Sequence, residues 1–198
     1  MVDAIRSLSE SEREKLRAAV DAARASTSAK FEFVIVPASE HYSLYPIVWS
    51  AVLSLTIAGA LALARPHLSI GAGFIANAAA FLVLAVVLDW WPLRLRLVPG
   101  PAKRAAAQRM AFREFSTRLI SKDAEQNGVM LFVSLAERHL QIIAERDAHA
   151  SVPAGTWDRI VTDATGAMGA RGLTEGLLGA ISACATALAA AFPARTAP

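Results

Sequence analysis

Three small groups of side chains have the types and spacing that could do chemistry. Glu40 stands beside His41, Glu137 lies two residues before His139, and Glu145, Asp147 and His149 alternate along one short stretch. A histidine beside a carboxylate is the minimal general acid–base pair, since the carboxylate orients the imidazole and favours its proton near neutral pH. Glu145, Asp147 and His149 together offer two carboxylates and an imidazole, a donor set for a divalent cation. The plainer reading stands beside each. A histidine in a turn is by default solvated, and polar residues in an exposed loop usually serve solubility. On these terms Glu145, Asp147 and His139 are the catalytic candidates, and Glu145, Asp147 and His149 the metal candidates.

Stronger catalytic signatures are absent. The chain has no glycine-rich phosphate loop after a strand, no Gly-x-Ser-x-Gly elbow and no His-Glu-x-x-His helix. TGAMGARG, Thr165 to Gly172, follows a helical stretch and is a poor phosphate cradle. The single cysteine, Cys184, excludes an internal disulfide and a cysteine-based zinc site. It sits among apolar residues at helical spacing, which predicts a buried structural thiol.

The elements that must position these groups are legible from periodicity. Ser9 to about Ser26 reads as a helix opened by a Ser9–Glu12 capping box, with Leu16, Ala19, Val20 and Ala23 on its apolar side. FEFVIVP, Phe31 to Pro37, reads as a strand apolar on both faces except at Glu32. Pro99-Gly100-Pro101 breaks the chain. From about Ala102 to Gln126 a helix is expected to bury Ala105, Gln108, Phe112, Phe115 and Leu119, with Asn127-Gly128 as a left-handed stop. Its basic opening turns are placed to rest on anionic headgroups. Val129 to Leu135 reads as a central strand, joined through a turn at 136–139 to an antiparallel return over Leu140 to Glu145. Two helices follow. One opens at Val152-Pro153 and carries Trp157, Ile160, Val161, Ala164 and Met168, loosening over Gly166 to Gly172. The other carries Leu173, Leu177, Ile181, Cys184, Leu188 and Phe192.

Between these flanks lie two uncharged apolar runs, Ile47 to Ala64 and Ile70 to Leu88, separated only by Arg-Pro-His-Leu-Ser. Each is long enough at about 1.5 Å per residue to approach the roughly 30 Å of a bilayer core. They raise the mean hydropathy of this 198-residue chain to +0.40. The expectation is a transmembrane hairpin over 46–92, inserted into one discontinuous α/β domain made of 1–45 and 99–198. That domain needs a sheet of three or more strands with packed helices, because neither flank can close a core alone.

Arg94, Arg96, Lys103, Arg104, Arg109 and Arg113 crowd the exit of the second run. The positive-inside rule puts this end, the soluble domain and both termini in the cytoplasm of a bacterial-type plasma membrane. Trp49, Trp90 and Trp91, with Arg94 and Arg96, form the expected interfacial belt. Inside the bilayer, Thr56, Gly59 and Asn77 are expected to serve packing. A hydrogen bond between Thr56 and Asn77, or between hairpins of two copies, would contribute on the order of 1 kcal/mol. The opening MVDAIRSLSESEREKLR lacks the apolar core of a secretory signal, so insertion is expected to depend on the hairpin itself.

At NGVMLFVSLAERHLQIIAERD, Asn127 to Asp147, the sequence resembles the TPM domain family, named for a thylakoid-lumen protein, a photosystem II repair protein and an acetylcholine-receptor auxiliary protein. Asn127, Gly128, Val129, Leu131 and Val133 fit its N-G-V-L-L-L-V strand, Ile142 falls in its return strand, and EGLLGAI, Glu175 to Ile181, resembles its closing segment. LSESEREKL followed by FEFVIV is similar to its opening. Two departures stand out: the hairpin replaces a polar linker, and Glu145, Arg146 and Asp147 replace a glycine pair. The resemblance implies a TPM-like α/β fold. Some plant members are acid phosphatases and some bind calcium through acidic residues, which makes calcium the one cofactor it implies. No matching acidic cluster is visible in this sequence.

Three functional classes follow. The favoured one is a non-catalytic, membrane-anchored interaction module in the assembly or upkeep of a membrane protein complex, with another membrane protein or a second copy as partner and no nucleic acid. The alternatives are a phosphatase-like hydrolase, implied by the resemblance, and a small oligomeric transporter. A pore sits poorly with spans that carry no charge.

Overall fold

The structure is a computed structural model that describes residues 8–65, 67, 69–119 and 126–194. These divide into two compact units, one formed by the described residues up to Ser39 together with those from Arg104, the other by those within Glu40–Lys103.

The first unit is an α/β domain. Helix α1, Glu10–Ala25, begins with the expected capping box: Ser9 Oγ accepts from the Glu12 amide and the Glu12 carboxylate accepts from the Ser9 amide at 2.8 Å. Strand β1, Phe31–Val36, pairs parallel with β2, Val129–Ser134, which pairs antiparallel with β3, His139–Ala144. The order β1-β2-β3 makes β2 central and every one of its residues buried, as its uninterrupted apolar run requires. Alternation along the strands then sorts two cores. Phe31, Val129, Leu131 and Val133 face a larger cluster with α1 and two later helices; Val34, Met130, Phe132 and Ile143 face a smaller one.

The smaller cluster is covered by α5, Gly100–Arg118, whose bounds and buried face both depart from expectation. Pro99 lies outside the helix and separates it from what precedes, as expected, while Pro101 sits in its first turn, where a missing amide hydrogen costs nothing, so the helix starts slightly earlier than Ala102. Phe115 and Leu119 reach the cluster as expected, but the buried residues within the helix are Ala106, Ala107 and Ala111, and Gln108 and Phe112 are exposed. The expected extension to Gln126 crosses 120–125, outside the described residues.

Two short elements were not anticipated. Residues 91–97 form α4, Trp91–Leu97, and 146–151 form α6, Arg146–Ser151, where an irregular loop was expected. Helix α7, Thr156–Arg171, starts later than Val152-Pro153 and runs through Gly166 and Gly169. Only Gly172, at φ +100°, breaks it from α8, Leu173–Ala191. Helix α8 buries Leu177, Ile181, Cys184 and Leu188 on the expected stripe, packed on α1 and α7. At Gly176 an added Cβ would meet the Met168 amide nitrogen at 2.8 Å and the Ala164 carbonyl at 2.9 Å, so glycine sets how closely α7 and α8 approach.

The second unit is the hairpin, α2, Leu44–Ala64, and α3, Ile70–Leu88, with α4 after it. Helix α2 turns Pro46, Ser50 and Ser54 inward, and half-buried Gly73 and Asn77 lie on α3. Both serine hydroxyls donate back to their own helix, Ser50 to the Pro46 carbonyl at 2.6 Å and Ser54 to that of Ala51 at 3.1 Å. The expected Thr56–Asn77 bond is not made. Thr56 is exposed and donates to the Val52 carbonyl, while Asn77 Oδ1 is buried without a partner among the described residues. Gly59 is also exposed, with nothing within 4 Å of where its Cβ would stand, so it does not mediate the α2–α3 contact.

Candidate functional site at the strand ends

Because β1 and β2 run parallel, their carboxyl ends fall at the same edge of the sheet, the edge where open α/β sheets bind ligands. The ladder continues past the strands, with the Leu135 amide donating to the Val36 carbonyl at 3.1 Å and that of Ala136 to Pro37 at 2.9 Å. The β2–β3 turn closes through Arg138, held at φ +49°, and carries Glu137 over the strand ends. There the Glu137 carboxylate accepts from the Ser39 amide at 3.1 Å and, in a short contact, from the hydroxyl of buried Ser134. Ser39 Oγ donates to Ser134 Oγ at 2.9 Å. The result is a relay of two hydroxyls ending on a carboxylate, with His139 opposite Ser134 in the strand register. Its Nε2 lies 3.2 Å from Gln141 Oε1. Such a relay can draw a proton from Ser39, or it can simply clamp the turn to the strand ends.

The other sequence candidates take structural positions. Glu145 is only 9% exposed, and its Oε2 accepts from the Gly128 amide at 2.7 Å. Its own amide donates to the Gly128 carbonyl at 2.8 Å. Gly128 leaves room for this contact, since a Cβ there would stand 2.7 Å from Glu145 Oε2 and displace that carboxylate. It has no positive φ, which overturns the left-handed stop expected at Asn127-Gly128. Asp147 accepts from the Gln126 amide at 3.1 Å, and His149 is exposed. Among the described residues no three His, Cys, Asp or Glu side chains gather as a metal set. Glu40 and His41 are exposed.

In the hairpin unit, Arg94 is held by the protein itself. It donates to the His41 carbonyl at 3.0 Å, pairs closely with Asp89 and lies over the Trp91 ring at 5.8 Å. Trp49, Trp90 and Arg96 are exposed, and Trp91 is half-buried. Burial pushes the Cys184 thiol up to about 12, which leaves it unreactive.

The class these observations define is an α/β domain with a small mixed sheet, interrupted in sequence by two long apolar helices. The TPM domain family matches residues 98–187, from just before α5 into α8, which is somewhat under half of the chain. A solved structure, the NMR structure of BA42 protein from the psychrophilic bacterium Bizionia argentinensis, is similar in fold at a TM-score of 0.56 and 14% identity, over 96% of this chain and 86% of that one. No curated protein matches. The TPM domain match covers β2, β3 and the EGLLGAI segment; α1, β1 and the hairpin lie outside it.

Proposed function

We propose that this chain is a membrane-anchored TPM-type domain, held in a bacterial-type plasma membrane by the α2–α3 hairpin with its α/β domain in the cytoplasm. It acts as a non-catalytic docking module in the assembly or maintenance of a membrane protein complex. One observation carries the reading. Helices α2 and α3 have mean hydropathies of 2.1 and 2.3 over span-length windows of which only 11% and 0% are buried within the protein. Each large apolar side chain left in water forfeits about 1.5–3 kcal/mol, so a bilayer is the environment that suits them. Helix α8 also meets the length and composition of a span, at 1.5, but with 33% buried its apolar stripe is already occupied by the domain.

Side-specific labelling in intact cells tests it. In a Cys184→Ala background, His67→Cys should react with a membrane-impermeant reagent and His149→Cys should not; in vivo crosslinking from His149→Cys should then capture a membrane protein. Labelling at His149→Cys alone would place the domain outside and sink the cytoplasmic reading.

The Ser39–Ser134–Glu137 relay favours a second reading, hydrolysis with Ser39 as nucleophile. Phosphate release from an aryl phosphate that disappears in both Ser39→Ala and Glu137→Gln, with folding unchanged, would establish it.

A further inference from the structure

Outside the hairpin unit, Phe112 is the one large apolar side chain left exposed among the described residues, at 56%. It lies on the outer ridge of α5, where Arg104, Gln108, Phe112 and Ser116 follow one another at i, i+4 spacing and are all exposed. Arg109 and Arg113, also exposed, stand on the adjoining ridge. Helix α5 carries five basic residues and one acidic residue, and that residue, Glu114, is already paired with Arg118 at 2.8 Å. Neither Arg104 nor Arg113 has a carboxylate partner among the described residues. An aromatic ring beside guanidinium groups is matched by the surface of an anionic bilayer. There the ring enters the boundary between headgroups and acyl chains, and the arginines meet phosphate oxygens. Only residues 89–99 separate the end of α3 from the start of α5, a tether short enough to leave α5 within reach of a bilayer that the hairpin spans.

We propose that the outward face of α5, Arg104, Phe112 and Arg113 above all, is a docking surface for the anionic lipid of the bilayer that the hairpin spans. It rests on the anchoring reading, and the domain is thereby held against the membrane rather than swinging from its tether.

The test uses the full chain with Cys184→Ala and Phe112→Cys, carrying an environment-sensitive fluorophore, in nanodiscs of phosphatidylcholine with or without phosphatidylglycerol. In anionic discs the fluorophore should shift to the blue and be quenched by acyl-chain quenchers. Adding Arg104→Gln and Arg113→Gln should lower the docked-to-free ratio on the order of thirtyfold. Salt at 1 M, where the Debye length falls to about 3 Å, should release it too. Fluorescence indifferent to lipid charge would overturn the proposal, as would shielding that appears only when a membrane extract supplies a protein partner. Alkaline carbonate extraction of the unlabelled chain from native membranes reports on the hairpin separately, so loss of the anchor and loss of docking are told apart.

Discussion

Glu145 and Asp147 commit their carboxylates to backbone amides of the segment before β2, Glu145 to Gly128 and Asp147 to Gln126. A nearly buried amide deprived of its acceptor costs about 1–3 kcal/mol, whereas an amide oxygen at the same place still accepts. Glu145→Ala should therefore destabilise the domain by about that amount in chemical denaturation, and Glu145→Gln by much less. Equal losses in the two variants would mean that the charge itself is needed, as for a cation ligand. Glu12 carries the pH dependence that can be argued from a single group. The Thr174 hydroxyl, donating at 2.7 Å, and the Ser9 donors hold its pKa below the ordinary 4.5. With the folded pKa depressed, the stabilisation is present above the unfolded value and lost as pH falls through the folded one. Thermal melts followed from pH 7 to pH 3 should show Glu12→Gln losing less stability on acidification than the parent chain. A steeper acid loss in the variant would contradict this account.

Among the elements, those announced by period and punctuation lie where the sequence puts them. The capped α1, central β2 and the stripe of α8 are each written in a few consecutive residues. Elements that depend on distant partners were harder to read. On α5 the periodicity puts Gln108 and Phe112 on one face with Phe115 and Leu119, yet only the latter two reach the core, and the helix's buried residues are Ala106, Ala107 and Ala111. Short α6 hides in a polar stretch, and only buried Ala148 marks it. The strand-end relay was illegible for a related reason: Ser39 and Ser134 are 95 residues apart and meet only through parallel β1–β2 pairing. In the sequence Glu137 stands out only as a neighbour of His139. The α7–α8 contact supplies the prediction at this scale. Gly176→Ala gains about 1 kcal/mol of helix propensity but drives a Cβ into backbone of α7. Overpacking costs about 1–3 kcal/mol, and with a backbone obstacle the upper end applies. The melting temperature should fall by about 3–8 °C, and an unchanged melt would show that α7 and α8 can separate freely.

For the whole molecule, the hairpin occupies a favourable place in the topology. Parallel β1 and β2 need a crossover connection in any case, and both the hairpin and α5 lie within it. Lengthening such a connection threefold adds only about 1 kcal/mol of closure entropy, so a membrane anchor can be inserted without rebuilding the sheet. The contacts that close the domain, β1 on β2 and α1 on α8, use residues up to Ser39 and from Arg104 onward. Replacing 40–103 with a flexible Gly/Ser linker of roughly twenty residues, spanning roughly 25 Å, should then leave a domain that folds without detergent. It should melt cooperatively and no longer sediment with membranes after a carbonate wash. Helix α8 makes this a demanding test, since it is long and apolar enough to span a bilayer by itself. If Leu177, Ile181, Cys184 and Leu188 stay covered by α1 and α7, the excised chain is soluble. If it remains in the membrane, α8 has left the core, and the anchor has three helices rather than two.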